Sequence, residues 1–151
     1  MSRRLRSFLA LLLSTAITMV VISASPSSAQ ELPNPVLSLT RIEPFQQGEK
    51  QLLKYHFEVS NRDAYPAEMF APSPQLPPCG KNAKAARTWV DVYAQNGKRL
   101  GGFCAFASPA ALEDIWFAIE EDVIPPSWVY IELTDRKTNK KYKSNLAETS
   151  S

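Results

Sequence analysis

Arg87-Thr88-Trp89-Val90-Asp91-Val92-Tyr93-Ala94 leads through Gln95-Asn96-Gly97-Lys98 into Arg99-Leu100-Gly101-Gly102-Phe103-Cys104-Ala105-Phe106. Two β-prone runs thus flank an Asn-Gly pair. That pair predicts a type I′ hairpin, because both central positions of such a turn need positive φ. Gly101-Gly102 predicts a bulge or bend in the returning strand, where simple alternation fails.

The two-residue period recurs on both sides of this hairpin. Upstream, Leu53, Tyr55, Phe57 and Val59 point one way while Lys54, His56, Glu58 and Ser60 point the other, as a half-buried strand requires. Before it, Val36, Leu37, Leu39 and Ile42 predict a short strand that Pro44 ends. After it come a turn at Asn61-Arg62-Asp63 and a third strand over residues 65–70, interrupted by Pro66. Residues 71–80 hold four prolines, so this is a stiff loop, neither helix nor central strand.

Downstream, Ser108-Pro109 predicts a helix start of one or two turns with Ser108 as N-cap. Residues 115–119 resume β character, and Pro125-Pro126 separates them from residues 128–133, where Val129, Ile131 and Leu133 alternate with Trp128, Tyr130 and Glu132. Residues 141–146 pair back across a polar turn at 135–140. About seven strands, no long helix and no internal repeat predict an all-β antiparallel sandwich. A small Greek-key barrel is the alternative.

The first 29 residues have the pattern of a secretory signal peptide. Arg3, Arg4 and Arg6 form a basic start, residues 8–22 an apolar stretch, and Ser27 and Ala29 the small residues before a cut at Gln30. That stretch is shorter than the roughly 20 residues of a spanning helix. Cleavage near Ala29 is therefore expected, without stable membrane insertion afterwards. Arg6 and Ser7 occupy positions where a twin-arginine signal wants apolar residues, which favours Sec export. The expected organisation is signal 1–29, linker 30–35, β-sandwich domain 36–146 and disordered tail 147–151. The product is secreted, to the periplasm or the external medium.

Export also decides how charge and cysteine are interpreted. Three of the 17 Lys and Arg residues and none of the 15 Asp and Glu residues precede Gln30, so the remainder is nearly neutral. A near-neutral domain is not expected to bind nucleic acid. Cys79 and Cys104 are the only cysteines, and in an oxidising compartment they are expected to pair. The rival interpretation, a metal-binding pair, is short of ligands in a chain with one histidine.

The strand order resembles that of immunoglobulin-like and fibronectin type III-like domains. More specifically, Leu76-Pro77-Pro78-Cys79-Gly80, Arg87-Thr88-Trp89-Val90-Asp91, Gly102-Phe103-Cys104 and Ile115-Trp116-Phe117-Ala118 resemble strings of secreted bacterial proteins with no assigned role. That resemblance implies a shared sandwich and disulfide, and carries no activity with it.

No motif specifies chemistry. His56 falls on the polar face of its strand, where a lone histidine is surface rather than a general base. There is no Gly-x-Ser-x-Gly elbow. Glu113-Asp114 and Glu120-Glu121-Asp122 lack the spacing of a calcium loop, and nothing fixes them as a glycosidase pair. No catalytic residue, metal or other cofactor is expected.

Three surfaces are candidates for binding. Trp128 and Tyr130 would form an aromatic strip if their face is uncovered, although core packing is the default for Trp89, Trp116 and Trp128. Arg136, Lys137, Lys140 and Lys141, with Lys143 beyond them, could meet an anionic surface. Gln75 and Leu76, on the proline-rich loop stapled at Cys79, could anchor a protease-inhibitor loop. The expected function is a non-catalytic binding or accessory module of the bacterial envelope, monomeric or weakly oligomeric. Its partner is a protein or a polysaccharide, and inhibition of a secreted protease is the alternative.

Overall fold

Alternating apolar residues need a second layer to bury them, and this chain supplies it with a second sheet. The computed structural model describes residues 31–80 and 85–150; the expected signal peptide and its cleavage site lie outside them. Strands β1 (Leu37–Gln47), β2 (Lys50–Val59) and β5 (Ile115–Glu120) form one sheet in the order β1-β2-β5. Strands β3 (Thr88–Ala94), β4 (Arg99–Ala105), β6 (Trp128–Asp135) and β7 (Lys140–Lys143) form the other in the order β4-β3-β6-β7, and a two-residue β8 (Ala147–Glu148) also pairs with β6. Every pairing is antiparallel. Two separate ladders make a sandwich and not a closed barrel.

The core fills the space between them. Tyr55, Phe57, Val59, Ile115 and Phe117 come from the smaller sheet, and Val90, Val92, Val129, Ile131 and Leu133 from the larger. The rings of Tyr55 and Phe117 stack with centroids 5.1 Å apart. Tyr65 donates its phenolic hydrogen to the Pro33 carbonyl at 2.7 Å, and burial raises its pKa.

Several local expectations are corrected. Pro44 does not end β1, which continues to Gln47 with Pro44 opposite Leu53. An edge strand tolerates the missing donor that would break a central one. Residues 65–70 are not a strand: short 3-10 turns at Arg62–Ala64 and Ala67–Met69 replace it, and Tyr65, Met69 and Phe70 are buried as core residues. Ser108 precedes a single 3-10 turn, Pro109–Leu112, and makes no side-chain cap.

The β3–β4 hairpin forms with a different turn. Gly97 N–H donates to Ala94 O, Ala94 N–H donates to Lys98 O, and Gly97 alone adopts positive φ, at 84°. This is a three-residue loop with its glycine in the left-handed region, in place of the type I′ pair. The register shift falls opposite Val92 and Tyr93, leaving Leu100 as the extra residue just before the glycine pair. Gly102 itself answers to crowding: a Cβ there would lie 2.7 Å from Asp91 Oδ1 and 2.9 Å from the Trp89 ring.

Both ends of the domain are tied in. Residues 31–35 of the expected linker pack instead on the body, with Pro35 buried and Asn61 donating to Asn34 O at 2.9 Å. The expected disordered tail supplies β8, and Thr149 is buried with its N–H on Ser127 O at 3.1 Å and its hydroxyl on Pro126 O. The proximate cause is Ala147, which fits the core edge beside Val129.

Candidate functional site

Strand parity leaves every tryptophan outside the core. In β3 the inward set is Thr88, Val90, Val92 and Ala94, which sends Trp89, Asp91 and Tyr93 outward. In β6 Val129, Ile131 and Leu133 point in, so Trp128, Tyr130 and Glu132 point out. Trp116 alternates with the buried Ile115 and Phe117 and is 47% exposed. The default of core packing is therefore corrected at all three positions.

The register then assembles an aromatic patch on the larger sheet. Tyr93 lies directly opposite Tyr130, and their rings stack with centroids 5.2 Å apart. Trp128, two residues along the same face, is 38% exposed. Lys143 places its ammonium 4.1 Å from the centre of the Tyr130 ring. Polar pairs flank the rings: Lys141 with Glu132 at 2.7 Å and Arg99 with Asp91 at 2.6 Å. Burial is the main cause raising the Tyr93 pKa, with Asp91 and Glu132 adding to it. Since β6 is hydrogen-bonded on both edges, to β3 on one and to β7 and β8 on the other, the patch sits on a rigid floor.

The basic candidates do not form one patch. Arg136 donates to Ala86 O at 2.7 Å and to Pro77 O at 2.9 Å, and so fastens the proline-rich loop. Lys140 faces Glu31 at 3.4 Å, Lys141 is held by Glu132, and Lys137 lies exposed in the turn, with its N–H on Asp135. In the proline-rich loop, Leu76 N–H closes a turn onto Ser73 O, leaving Gln75 exposed and Leu76 half-buried. Cys79 and Cys104 are bonded, and the bridge lies on the outer side of the larger sheet beside Trp89, whose ring would be 3.2 Å from a Cβ at Gly80.

His56 is the main surprise. It occupies the outer face of β2, as its parity requires, yet it is 0% exposed. A bulge explains how it is covered. Thr40 has no partner in the β1–β2 register, and its hydroxyl donates to His56 O at 3.1 Å. This extra residue reverses the parity of β1 and turns Arg41 and Glu43 onto the His56 face. Glu43 Oε1 lies 2.9 Å from Nε2, and Asp114 Oδ1 lies 2.5 Å from Nδ1. Arg41 reaches both carboxylates, at 3.5 and 3.6 Å.

Both ring nitrogens thus face carboxylate oxygens, with Arg41 between the two carboxylates, and the cluster clamps β1, β2 and the approach to β5 together. The hydrogen bond from His56 is the chief cause holding Glu43 below the usual carboxylate range. Glu43 therefore binds its proton more weakly folded than unfolded. Its contribution to stability is complete above about pH 4.5 and disappears as the pH falls through the lower folded value. We expect His56→Leu to cost about 1–3 kcal/mol at neutral pH. Urea titrations of this variant from pH 6 to 3 should also show a shallower acid loss than the parent.

Parity analysis could have placed Trp116 outside, but the neighbours that cover His56 come from register and a bulge that no local pattern announces. Among the described residues no group of three or more His, Cys, Asp and Glu side chains is arranged to hold a metal ion. No helix there is long and apolar enough to cross a membrane. The chain matches no protein-family model, no curated protein and no solved structure.

Proposed function

We propose that this domain is a secreted, non-catalytic binding module of the bacterial cell envelope, related to the fibronectin type III-like sandwiches. Its contact surface is the outer face of the larger sheet. The observation that carries this reading is the Tyr93–Tyr130–Trp128 patch, held outside the core on two neighbouring strands that are each paired along both edges. Flat aromatic faces bordered by the Glu132–Lys141 and Asp91–Arg99 pairs suit a polysaccharide: the rings stack on sugar faces while the polar groups meet hydroxyls. A folded protein presenting a polar-rimmed apolar patch is the other partner of this kind.

The inhibitor alternative would rely on the loop carrying Gln75 and Leu76. That loop has the required stiffness, from the bridge at Cys79 and from Arg136 on Pro77 O. Its apolar anchor, Leu76, is half-buried, which favours the aromatic face instead.

The test is retention of the purified protein on immobilised envelope polysaccharide, with a Trp128→Ala/Tyr130→Ala variant in parallel. Aromatic anchors of this kind each contribute about 2 kcal/mol or more. The variant, which loses two such anchors, should bind about a thousandfold more weakly while keeping the parent's circular dichroism. Equal retention of parent and variant would remove the proposal's support.

A further inference from the structure

The two long sides of the sandwich are closed differently. On one side Asn145 joins the sheets, accepting from Leu37 N–H at 2.7 Å and donating to Leu37 O at 3.0 Å. On the other side β5 and β4 are both edge strands, and among the described residues neither pairs with a strand across the gap. The chain passes between them through the turn Pro109–Leu112 and forms no additional strand. What remains is a cleft of about 760 Å³ lined by Leu100, Phe103, Phe117 and Ile119, with Trp116 and Val123 also in its wall.

We propose that this seam receives an extended segment of a partner protein, added antiparallel beside β5 as a fourth strand of the smaller sheet. Three features define the segment. First, among the described residues β5 is paired only with β2, so its other edge offers main-chain donors and acceptors to a strand about 4.8 Å away. The rest of the sandwich is antiparallel, and antiparallel pairing is the slightly stronger arrangement per residue. Second, a strand so placed turns alternate side chains into the cleft and the others toward solvent beside Trp116. Leu100, Phe103, Phe117 and Ile119 form the apolar part of the wall, beside Gln47, Lys50, Asp114 and Glu120, so the side chains that meet the former must be apolar.

Third, the charges at the two ends of β5 are unequal. Asp114 is engaged by His56 and Arg41, and Glu120 by Lys50. Glu121 and Asp122 lie exposed just past the C-terminal end of β5, where, among the described residues, Lys50 is the one cation beside three carboxylates and Asp122 also feels its charge. An antiparallel strand begins there, so its N-terminal residues should be basic. The same region carries Ile124, 91% exposed on a loop stiffened by Pro125 and Pro126, which extends the apolar contact beyond the strand. This site does not use the Trp128 face and stands or falls separately from it.

The test uses the purified protein and a fluorescent peptide of sequence Lys-Lys-Val-Thr-Val-Thr-Val-Thr. Controls are a Glu-Glu-headed version, a version with scrambled Val and Thr, and one N-methylated at alternate residues. The expected result is binding of the Lys-headed peptide with amide shifts concentrated in β5. The Glu-headed version should bind about five- to tenfold more weakly. N-methylation and scrambling should each abolish binding. A Glu121→Lys/Asp122→Lys variant, changed only at exposed positions, should reverse the order of the two charged peptides. Leu100→Asp should weaken both. Equal binding of the N-methylated or scrambled peptide would overturn the proposal, as would indifference to charge. No binding at roughly millimolar peptide, or protection of β5 amides by self-association without peptide, would overturn it equally.

Discussion

Replacing Asp135 with alanine will lower the unfolding free energy by about 3 kcal/mol, toward the lower end for breaking a buried ion pair. Asp135 closes β6 and is buried, and its two oxygens take both donors of the Arg87 fork, at 2.8 and 2.7 Å. Lys137 N–H and the Thr138 hydroxyl complete its shell, at 3.0 and 2.9 Å. One carboxylate thus fixes the β6–β7 turn and the entry to β3. Removal leaves Arg87 half-covered with no acceptor for its fork, and the turn without its organiser.

The same contacts, the Arg87 hydrogen bond foremost, hold the Asp135 carboxyl down at about 2. A depressed carboxyl stabilises the folded state above its unfolded pKa and loses that effect as the pH falls through the folded one. The contribution, roughly 2 kcal/mol, is complete above pH 4 and is lost toward pH 2. Denaturation of parent and variant at pH 7 and pH 2.5 checks both statements: the difference between them should shrink at the lower pH. Asp135→Asn should recover part of the loss, since an amide still accepts one hydrogen bond.

Removing the disulfide will cost about as much. Cys79 and Cys104 are separated by 25 positions, and closing a loop of that length is worth roughly 3 kcal/mol in the chain-entropy account. The bridge sits on the outer side of the larger sheet, so the core does not depend on it. The loop also has other fastenings: Ser73 N–H on Ala85 O, the Pro72–Ala86 bridge, and Arg136 on Pro77 and Ala86. A Cys79→Ala/Cys104→Ala protein should therefore stay folded, with the loss visible in urea denaturation. Hydrogen exchange should quicken around Ser73, Leu76 and Ala86 while Val90 and Ile131 keep their protection. Loss of protection throughout β3 and β6 would show that the bridge holds the core as well.

Much of the fold is legible wherever two-residue periodicity and burial coincide. Val129, Ile131 and Leu133 announce one inner face, Tyr55, Phe57 and Val59 the other, and the spacing of turn signals implies a sandwich. Errors fall where chemistry overrides the period. Pro44 looked like a strand end because the edge position of β1 is a property of the sheet and not of the chain. Ala147 and Thr149 looked like a tail because their partners, Val129 and Ser127, lie far upstream.

The candidate site divides along the same line. The outward parity of Trp128 and Tyr130 followed from β6 alone, whereas Tyr93 joined them only through register. Arg136 and Lys141 carried the expected charge, but long-range acceptors at Pro77, Ala86 and Glu132 absorbed it. His56 shows the limit most clearly. Its face was correctly inferred, but its cover depends on an extra residue at Thr40 and on Asp114 in another strand's approach.

The most direct test of the binding-module proposal is a titration of the isotopically labelled protein with soluble envelope polysaccharide, followed residue by residue by NMR. Shifts centred on Tyr93, Trp128, Tyr130 and Lys143, with β1 unmoved, are the predicted outcome. Shifts centred on His56, Glu43 and Asp114, with the larger sheet silent, would contradict it and move the functional site to the opposite face.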